Sequence, residues 1–260
     1  MRRNRFVFGI VFSLWIFFFV SASSCSAISV EEIQVQAFAR DKTVIQAMED
    51  FDAAYKTLRA KNGFLTERGT VLPRTLVDSV YDYWENHFHK EYQNKNDGEK
   101  VENLKALFKM LDADSLILQY YYISANPNPL GEKDQLVVSP DEKSYWSVNH
   151  KKYHSYFHDY LEFFGLYDIF LINIKTGDLV YTVFKELDFT TSLKDGPFAN
   201  TNFGRVYQAV AESNDKNFTI TVDMEPYLPS YHAPARFVGA PIYDGDKKVG
   251  ILILQLAIGM

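Results

Sequence analysis

Short apolar runs separated by tight polar turns characterise the last third of the chain, residues 165–258. Their composition and spacing predict strands at 167–174, 179–184, 218–224, 235–243 and 247–257. Two turns that contain glycine, Lys175-Thr-Gly-Asp178 and Asp244-Gly-Asp246, join the first two and the last two of these strands. A predicted helix at 201–213 lies between the two hairpins. The pattern predicts an α+β fold, in which a five-stranded antiparallel sheet with flanking helices holds a small ligand.

The first part of the chain has a helical period instead. Apolar residues recur every three or four positions from Ile33 to Leu58 and predict one long amphipathic helix, which ends at Asn62-Gly63. Residues 115–124 are apolar and rich in tyrosine, a composition that fits a helix or a strand. Further helices are predicted at 73–88, 101–111 and 144–164, and Gly165 is expected to end the last one. The exported chain is therefore predicted to comprise a long N-terminal helical region, 28–114, and a sheet domain, 115–260.

Residues 1–27 have the character of a targeting segment. Three arginines within the first five residues precede a continuous apolar run at 6–20, and small residues follow at 21–27. Positive charge stays on the cytoplasmic side, so the rest of the chain is expected outside the inner membrane. The apolar run 6–20 is short for a membrane span, which favours a signal peptide cleaved after Ala27. Counted together with the small residues 21–27, however, the segment is long enough for an uncleaved membrane anchor. The predicted location is the inner membrane facing the periplasm, or the periplasm if the signal is cleaved.

Cys25, the only cysteine of the chain, lies inside this segment. It is either a lipid-attachment site or incidental, and Ala22 is smaller than the aliphatic residue that lipoprotein signals prefer at that position. The exported part contains no cysteine, so it has neither a disulfide nor a thiolate metal site.

Composition places the chain among globular proteins with a real core, since 47% of its 260 residues are hydrophobic and 23% are charged. The net charge of −6 is spread along the chain without a basic stripe. Nucleic acid is therefore not expected as a partner.

Few residues suggest catalysis. His150, His154 and His158 are spaced four apart on a predicted helix, and such a spacing can chelate a metal. On a helical wheel, however, they spread from the apolar face to a flank, so we expect one partly buried histidine, two on a solvated flank and no metal. Glu186 and Asp188 follow a strand directly and are expected to be solvated. With no Gly-x-Ser-x-Gly elbow and no phosphate-binding glycine loop, we predict neither an enzyme nor a bound cofactor.

Capture of a small molecule, with an anion as one candidate, is better supported. The segment 226–234 contains three prolines, which make it rigid, and it presents aromatic and polar side chains. Arg236 begins a strand that should be central, where a buried guanidinium needs an anionic partner. That partner is a ligand carboxylate or, internally, Asp188 or Glu225. The predicted ligand-binding residues are Tyr181, Lys185, Tyr227, Tyr231 and Arg236.

Several motifs together resemble one family. They are Asn126-Pro-Asn-Pro-Leu-Gly-Glu-Lys133, Tyr153-His154, Gly165-Leu-Tyr-Asp-Ile-Phe-Leu-Ile172, Thr176-Gly-Asp-Leu-Val-Tyr-Thr-Val-Phe-Lys-Glu186, Gly196-Pro-Phe198, Pro229-Ser-Tyr-His-Ala-Pro-Ala235 and Leu254-Gln-Leu-Ala-Ile258. In this order they resemble the Cache-type, PAS-like extracytoplasmic sensor domains of bacterial methyl-accepting chemotaxis proteins, sensor kinases and membrane-bound cyclases. The resemblance covers about residues 115–258 well and residues 30–114 loosely.

The resemblance implies a long N-terminal helix rising from the membrane, a sheet that cradles a small molecule, and a last strand leading to a second membrane span. It also implies signalling by a homodimer through a small shift of that strand against the first helix. The chain departs from the family pattern because it stops at Met260, without a second span or an output domain. The expected function is the sensing input of a transmembrane receptor without its output domain. The alternative is a stand-alone periplasmic ligand-binding protein or lipoprotein.

Overall fold

The computed structural model describes residues 28–257. Its α helices are α1 (Val30–Ala39), α2 (Lys42–Tyr55), α3 (Leu58–Lys61), α4 (Arg74–Asp82), α5 (His89–Lys95), α6 (Leu104–Phe108), α7 (Ala113–Gln119), α8 (Tyr145–Phe164) and α9 (Asn202–Glu212). Its strands are β1 (Leu65–Thr66), β2 (Gly69–Thr70), β3 (Leu166–Ile172), β4 (Leu179–Thr182), β5 (Ile220–Thr221), β6 (Glu225–Pro226), β7 (Pro234–Asp244) and β8 (Lys247–Leu256). The predicted signal peptide or anchor and Cys25 lie outside the described residues.

The main sheet is antiparallel, with the strand order β4-β3-β8-β7-β5, and the two-residue strand β6 pairs with β7 beside this path. This arrangement confirms the predicted α+β class, the antiparallel sheet and its flanking helices. The prediction counted five strands, and β6 is the sixth. Strand β5 is also shorter than the predicted 218–224, because only Ile220 and Thr221 pair with β7.

Helices cover both faces of the sheet. A Cβ built on Gly239 of β7 would lie 2.4 Å from a methyl carbon of Val206 in α9. A Cβ on Gly250 of β8 would lie 2.4 Å from Met48 of α2, on the opposite face. These two glycines let α9 and α2 approach the backbone of the central strands closely. The core therefore has three layers, with the sheet in the middle.

The long N-terminal helix predicted from the periodicity is wrong, because the structure interrupts it between α1 and α2. Asp41 adopts an extended conformation there, with φ −65° and ψ 133°. Its carboxylate accepts hydrogen bonds from the backbone N–H groups of Thr43 and Val44, at 2.7 and 3.4 Å. Aspartate in this role starts a new helix. Apolar periodicity continues across such a break because both helices pack on the same sheet and the same neighbours.

Other helix predictions hold with adjusted ends. Residues 113–124, which include the ambiguous segment, are helical, with α7 followed by a π-helical turn at Tyr120–Ser124. A second π-helical turn, Tyr83–Phe88, connects α4 to α5. The predicted helix at 144–164 is confirmed as α8, which Ser144 caps and which Gly165 ends at φ 62°.

A single hydrophobic cluster contains residues from both predicted regions, 28–114 and 115–260. Phe38 of α1 stacks on Tyr160 of α8, with ring centroids 3.6 Å apart, and Phe51 of α2 packs on Trp146 and Tyr181. Within residues 28–257, no helix is long and apolar enough to cross a membrane.

Removing the Asp41 cap should destabilise the protein. We expect Asp41→Ala to lower the free energy of unfolding by about 1 kcal/mol, because two helix N–H groups lose their acceptor. Asp41→Asn, which retains a capping oxygen, should lose much less. Urea unfolding of both variants measures the difference, and an equal loss in the two variants would show that capping is not the cause.

Candidate functional site

The candidate site is a cavity of about 740 Å³. It lies where the end of α8, the segment after β4 and the loop between β6 and β7 meet the helical region. Its walls are mostly aromatic and aliphatic, with a few charged groups, which is the usual make-up of a small-molecule site. The lining includes Tyr83, Phe88, Lys95, Asn96, Leu130, Lys133, Leu161, Leu166, Tyr167, Phe184, Lys185, Glu186, Ser230, Tyr231, His232 and Ala257.

Lys185 lies in the wall directly after β4, and only 2% of its surface is exposed. Its ammonium nitrogen donates hydrogen bonds to the backbone carbonyls of Thr182 and Val183, at 3.0 and 2.7 Å. Burial lowers the pKa of Lys185 to about 7, and the nearby carboxyl of Asp168 opposes that shift only in part. In the described residues, no carboxylate lies within 4.0 Å of this nitrogen. Lys185 is therefore a buried amine without an ion pair.

Lys133 is a second buried lysine at the same cavity. It closes the loop that begins at Asn126, and its ammonium nitrogen donates to the carbonyl oxygens of Asn126 and Asn128, at 2.8 and 2.6 Å. Asn126 in turn donates from its amide to the carbonyl of Lys133, at 2.9 Å. Desolvation lowers the pKa of Lys133. This loop, whose two prolines lack the backbone N–H that a helix or sheet needs, thus places a second cation at the cavity.

Near these lysines, Asp188 is buried and Glu186 is half-buried, which corrects the expectation that both carboxyls are solvated. Glu186 accepts hydrogen bonds from the hydroxyls of Tyr167 and Ser230, at 2.8 and 3.3 Å. Asp188 is 1% exposed, and one of its carboxylate oxygens has no hydrogen-bond partner. The chain turns back onto the sheet after β4 and so covers Asp188 fully and Glu186 in part.

Burial raises the pKa values of these carboxyls. Desolvation raises the pKa of Glu186 well above its usual range and raises the pKa of Asp188 to about 6. It also raises the pKa of Asp168 in β3 to about 8, although Thr182 and the backbone of Val183 hydrogen-bond to that carboxyl. Near neutral pH, Glu186 and Asp168 therefore favour their protonated forms, whereas Asp188 is mostly ionised and accepts a hydrogen bond from Tyr227.

The loop between β6 and β7 holds its side chains in a strained backbone. Tyr231 and His232 both lie in the left-handed region, at φ 57° and 61°. Such a conformation is costly for residues with side chains, and it persists only where the surroundings fix it. Here, Tyr231 stacks on Phe88 at 5.0 Å, and His232 pairs with the Tyr92 hydroxyl at 2.9 Å. These contacts fix the positions of the Tyr231 and His232 side chains on one side of the cavity.

The predicted ligand-binding residues do not all meet at the cavity. Lys185 and Tyr231 line it. Tyr181 is fully buried behind the wall, where its hydroxyl is 2.8 Å from Nδ1 of His154 and its ring lies 5.5 Å from the Lys185 nitrogen. Tyr227 is also fully buried, and its hydroxyl donates to Asp188 at 2.7 Å. Tyr181 therefore supports the wall residue Lys185 from inside the core, whereas Tyr227 contacts Asp188, which is not part of the lining.

Arg236 lies apart from the other four. It is half-buried and lines a separate hollow with Glu31, Phe164 and Met224. The internal partners considered for it are engaged elsewhere, since Glu225 pairs with Arg205 and Asp188 accepts from Tyr227. Side chains alternate along β7, and the face that carries Arg236 is the one next to α1.

The histidines differ from the expectation of one partly buried and two solvated rings. His150 and His154 are both buried, and only His158 is partly exposed, 3.3 Å from a carboxylate oxygen of Asp134. His154 also contacts the carbonyl oxygen of Asp134 through Nε2, at 2.6 Å. The helical wheel missed this burial because the segment 133–137 covers that flank of α8. In the part of the chain that the structure describes, no group of three or more His, Cys, Asp or Glu side chains could hold a metal ion.

Sequence reasoning gave no role to Lys133, Tyr83 or Tyr167. Lys133 ends the Asn-Pro-Asn-Pro-Leu-Gly-Glu-Lys motif, and its position directly after a segment with two prolines was the available signal. Tyr83 and Tyr167 carry no signal of their own, because an aromatic in an apolar helix or strand is usually a core residue.

Comparison with known proteins identifies no relative: no protein-family model, no curated protein and no solved structure matches this chain.

Acid should destabilise the fold through the buried histidines. Desolvation lowers the pKa of His154 to about 2, so the folded chain keeps a neutral ring while the unfolded chain binds a proton below about pH 6.5. Stability is therefore lost as the pH falls from 6.5, by up to about 1.4 kcal/mol per pH unit for one histidine. His154→Gln should be less stable at pH 8 but lose less stability on acidification.

Urea unfolding between pH 8 and pH 4.5 tests this, with Ser155→Gln at an exposed position of the same helix as control. A slope in His154→Gln equal to that of the wild type would contradict the assignment.

Proposed function

We propose that this chain is the extracytoplasmic sensing part of a transmembrane signalling receptor, related to the Cache-type, PAS-like domains, and that it binds a small anionic molecule in the cavity. The membrane attachment would come from residues 1–27. This is a binding role, and no catalytic step is assigned to any residue.

One observation carries the proposal: Lys133 and Lys185 line one cavity as buried cations without an ion-pair partner among the described residues. An unpaired charge in the interior is costly, and proteins avoid it unless something compensates. Backbone carbonyls use two donors of each ammonium group and leave one free. A ligand carboxylate or phosphate would accept from the remaining donors and neutralise the charge.

The carboxyls of Glu186 and Asp168 do not prevent such binding. Because burial raises the pKa values of Glu186 and Asp168, these groups favour the neutral form near pH 7 and repel an anion only weakly. A protonated Glu186 can also donate a hydrogen bond to the ligand, since it lines the cavity. Tyr83, Phe88 and Tyr231 offer ring surfaces for an apolar part of the ligand.

The architecture supports the sensory class. An antiparallel sheet with a helix between its two hairpins is the arrangement that the apolar pattern predicted, and it is compatible with a PAS-like sensor domain. Ala257, which follows β8, lines the cavity, and α1 packs against β7 and β8. A ligand in the cavity could therefore shift the end of β8 against α1, as the resemblance implies for signal transmission.

Replacing either lysine should abolish anion binding. We expect at least one of acetate, succinate, citrate and phosphate to raise the melting temperature of the wild-type protein. Lys133→Met and Lys185→Met should bind that anion about 30-fold more weakly or worse, because a buried charged contact is lost. Isothermal titration calorimetry measures the affinities. Since the variants remove unpaired buried charges, they should fold at least as well as the wild type.

Lys90→Met, at an exposed position of α5 outside the cavity, is the matched control and should bind normally. An anion that binds both cavity variants with wild-type affinity would overturn the assignment of the site.

Anion affinity should also depend on pH. Because burial lowers the pKa of Lys185 to about 7, the free protein loses the Lys185 proton as the pH rises above 7. Binding of an anion then requires uptake of a proton, and the affinity should fall by up to about tenfold per pH unit between pH 7 and pH 9. Calorimetry in buffers of different ionisation enthalpy reports the proton uptake directly. An affinity that is constant from pH 6 to pH 9 would contradict a charged Lys185 contact.

A further inference from the structure

A group of apolar side chains is exposed at one end of the molecule. Phe163 and Phe164, at the end of α8, are 82% and 48% exposed, and their ring centroids lie 4.9 Å apart. Met224, 47% exposed, lines a hollow of about 320 Å³ together with Phe164 and the first turn of α1. Two adjacent phenylalanines in water at the end of a helix are unusual for a soluble surface and indicate a partner.

The start of the described chain extends this surface. Ile28, Val30 and Ile33 are 50%, 78% and 53% exposed, and they flank Glu31, which lines the same hollow. A capping box between Ser29 and Glu32 fixes where α1 begins. The apolar end of the molecule, defined here as Ile28, Val30, Ile33, Phe163, Phe164 and Met224, is thus built on ordered elements.

The sequence places this end close to a membrane. The apolar run 6–20 ends only eight residues before Ile28, and eight extended residues span at most about 28 Å. If residues 6–20 are retained as an anchor, Ile28 at the edge of the apolar end cannot be farther than this from the bilayer. Exposed aliphatic and aromatic side chains, such as those of the apolar end, are the type that enters the interface between lipid and water in membrane-bound proteins.

We infer that the apolar end binds the surface of the lipid bilayer that holds residues 6–20. The inference rests on the proposed membrane attachment. The tether favours the bilayer over other partners because it keeps the surface at a high effective concentration next to lipid. Bound in this way, α1, the end of α8 and the segment that carries Met224 have a fixed orientation relative to the membrane.

The experiment uses the full chain with Cys25→Ser, which removes the only native cysteine. Phe163→Cys is labelled with the environment-sensitive dye NBD, and the protein is reconstituted in phosphatidylcholine nanodiscs with or without brominated phosphatidylcholine. Val148→Cys is the matched control, because Val148 is 61% exposed on the same helix. It lies fifteen residues, or about 22 Å, from Phe163 along the helix axis.

We expect brominated lipid to reduce the NBD emission at position 163 by about twofold or more, because interfacial side chains enter the acyl boundary. Emission at position 148 should change little. If the chain is held in the nanodisc, equal quenching at the two positions, or none at either, would overturn the inference. Formation of a disulfide dimer by unlabelled Phe163→Cys without lipid quenching would assign the surface to a second copy. A chain that elutes apart from the nanodiscs would instead refute the membrane attachment, and the docking with it.

Discussion

The position of β8 between β3 and β7 is the constraint on which the rest of the structure depends. Residues 250–255 of this strand are buried, and they pair with β3 on one side and β7 on the other. A slip of one residue would exchange the faces of every side chain, so the apolar pattern fixes the register. Gly250 and Gly239 then decide where α2 and α9 can approach. The ends of β3 and β8, which contribute Leu166 and Ala257 to the cavity, are placed by the same pairing.

The interior beside this sheet is more polar than stability alone would favour. Two lysines and the carboxyls of Asp168 and Asp188 are buried around or behind the cavity, and Glu186 is half-buried. Much of their hydrogen bonding comes from backbone carbonyls, backbone N–H groups and hydroxyls. Replacing such groups by apolar residues often stabilises a protein, so their presence supports the proposal that they serve a ligand. The strained backbone at Tyr231 and His232 points to the same conclusion, because strain of this kind is concentrated at binding sites.

The cavity and the hollow at the apolar end are neighbours. Leu166 and Ala257 line both, and Gly165 between α8 and β3 separates Phe164 from Leu166 by a single residue. A ligand that moves the ends of β3 and β8 would therefore act directly beside the surface that we propose for the membrane. This proximity links the two proposals physically, since the same short segment contributes to the ligand wall and to the apolar end.

The sequence by itself determined the elements and the class of fold. Strand and helix periods, the Gly-containing turns and Gly165 located the two hairpins, α8 and α9, because local backbone preference and burial agree at those positions. The spacing of apolar residues did not reveal the helix break at Asp41, because that spacing continues on both sides of the capping aspartate. Nor could it show that Lys133 reaches the cavity, that Glu186 and Asp188 are covered, or that Arg236 faces α1. Those facts follow from which segments pack together, and only the tertiary structure brings a loop at 126–133, the end of β4 and the strained turn at 231–232 around one cavity.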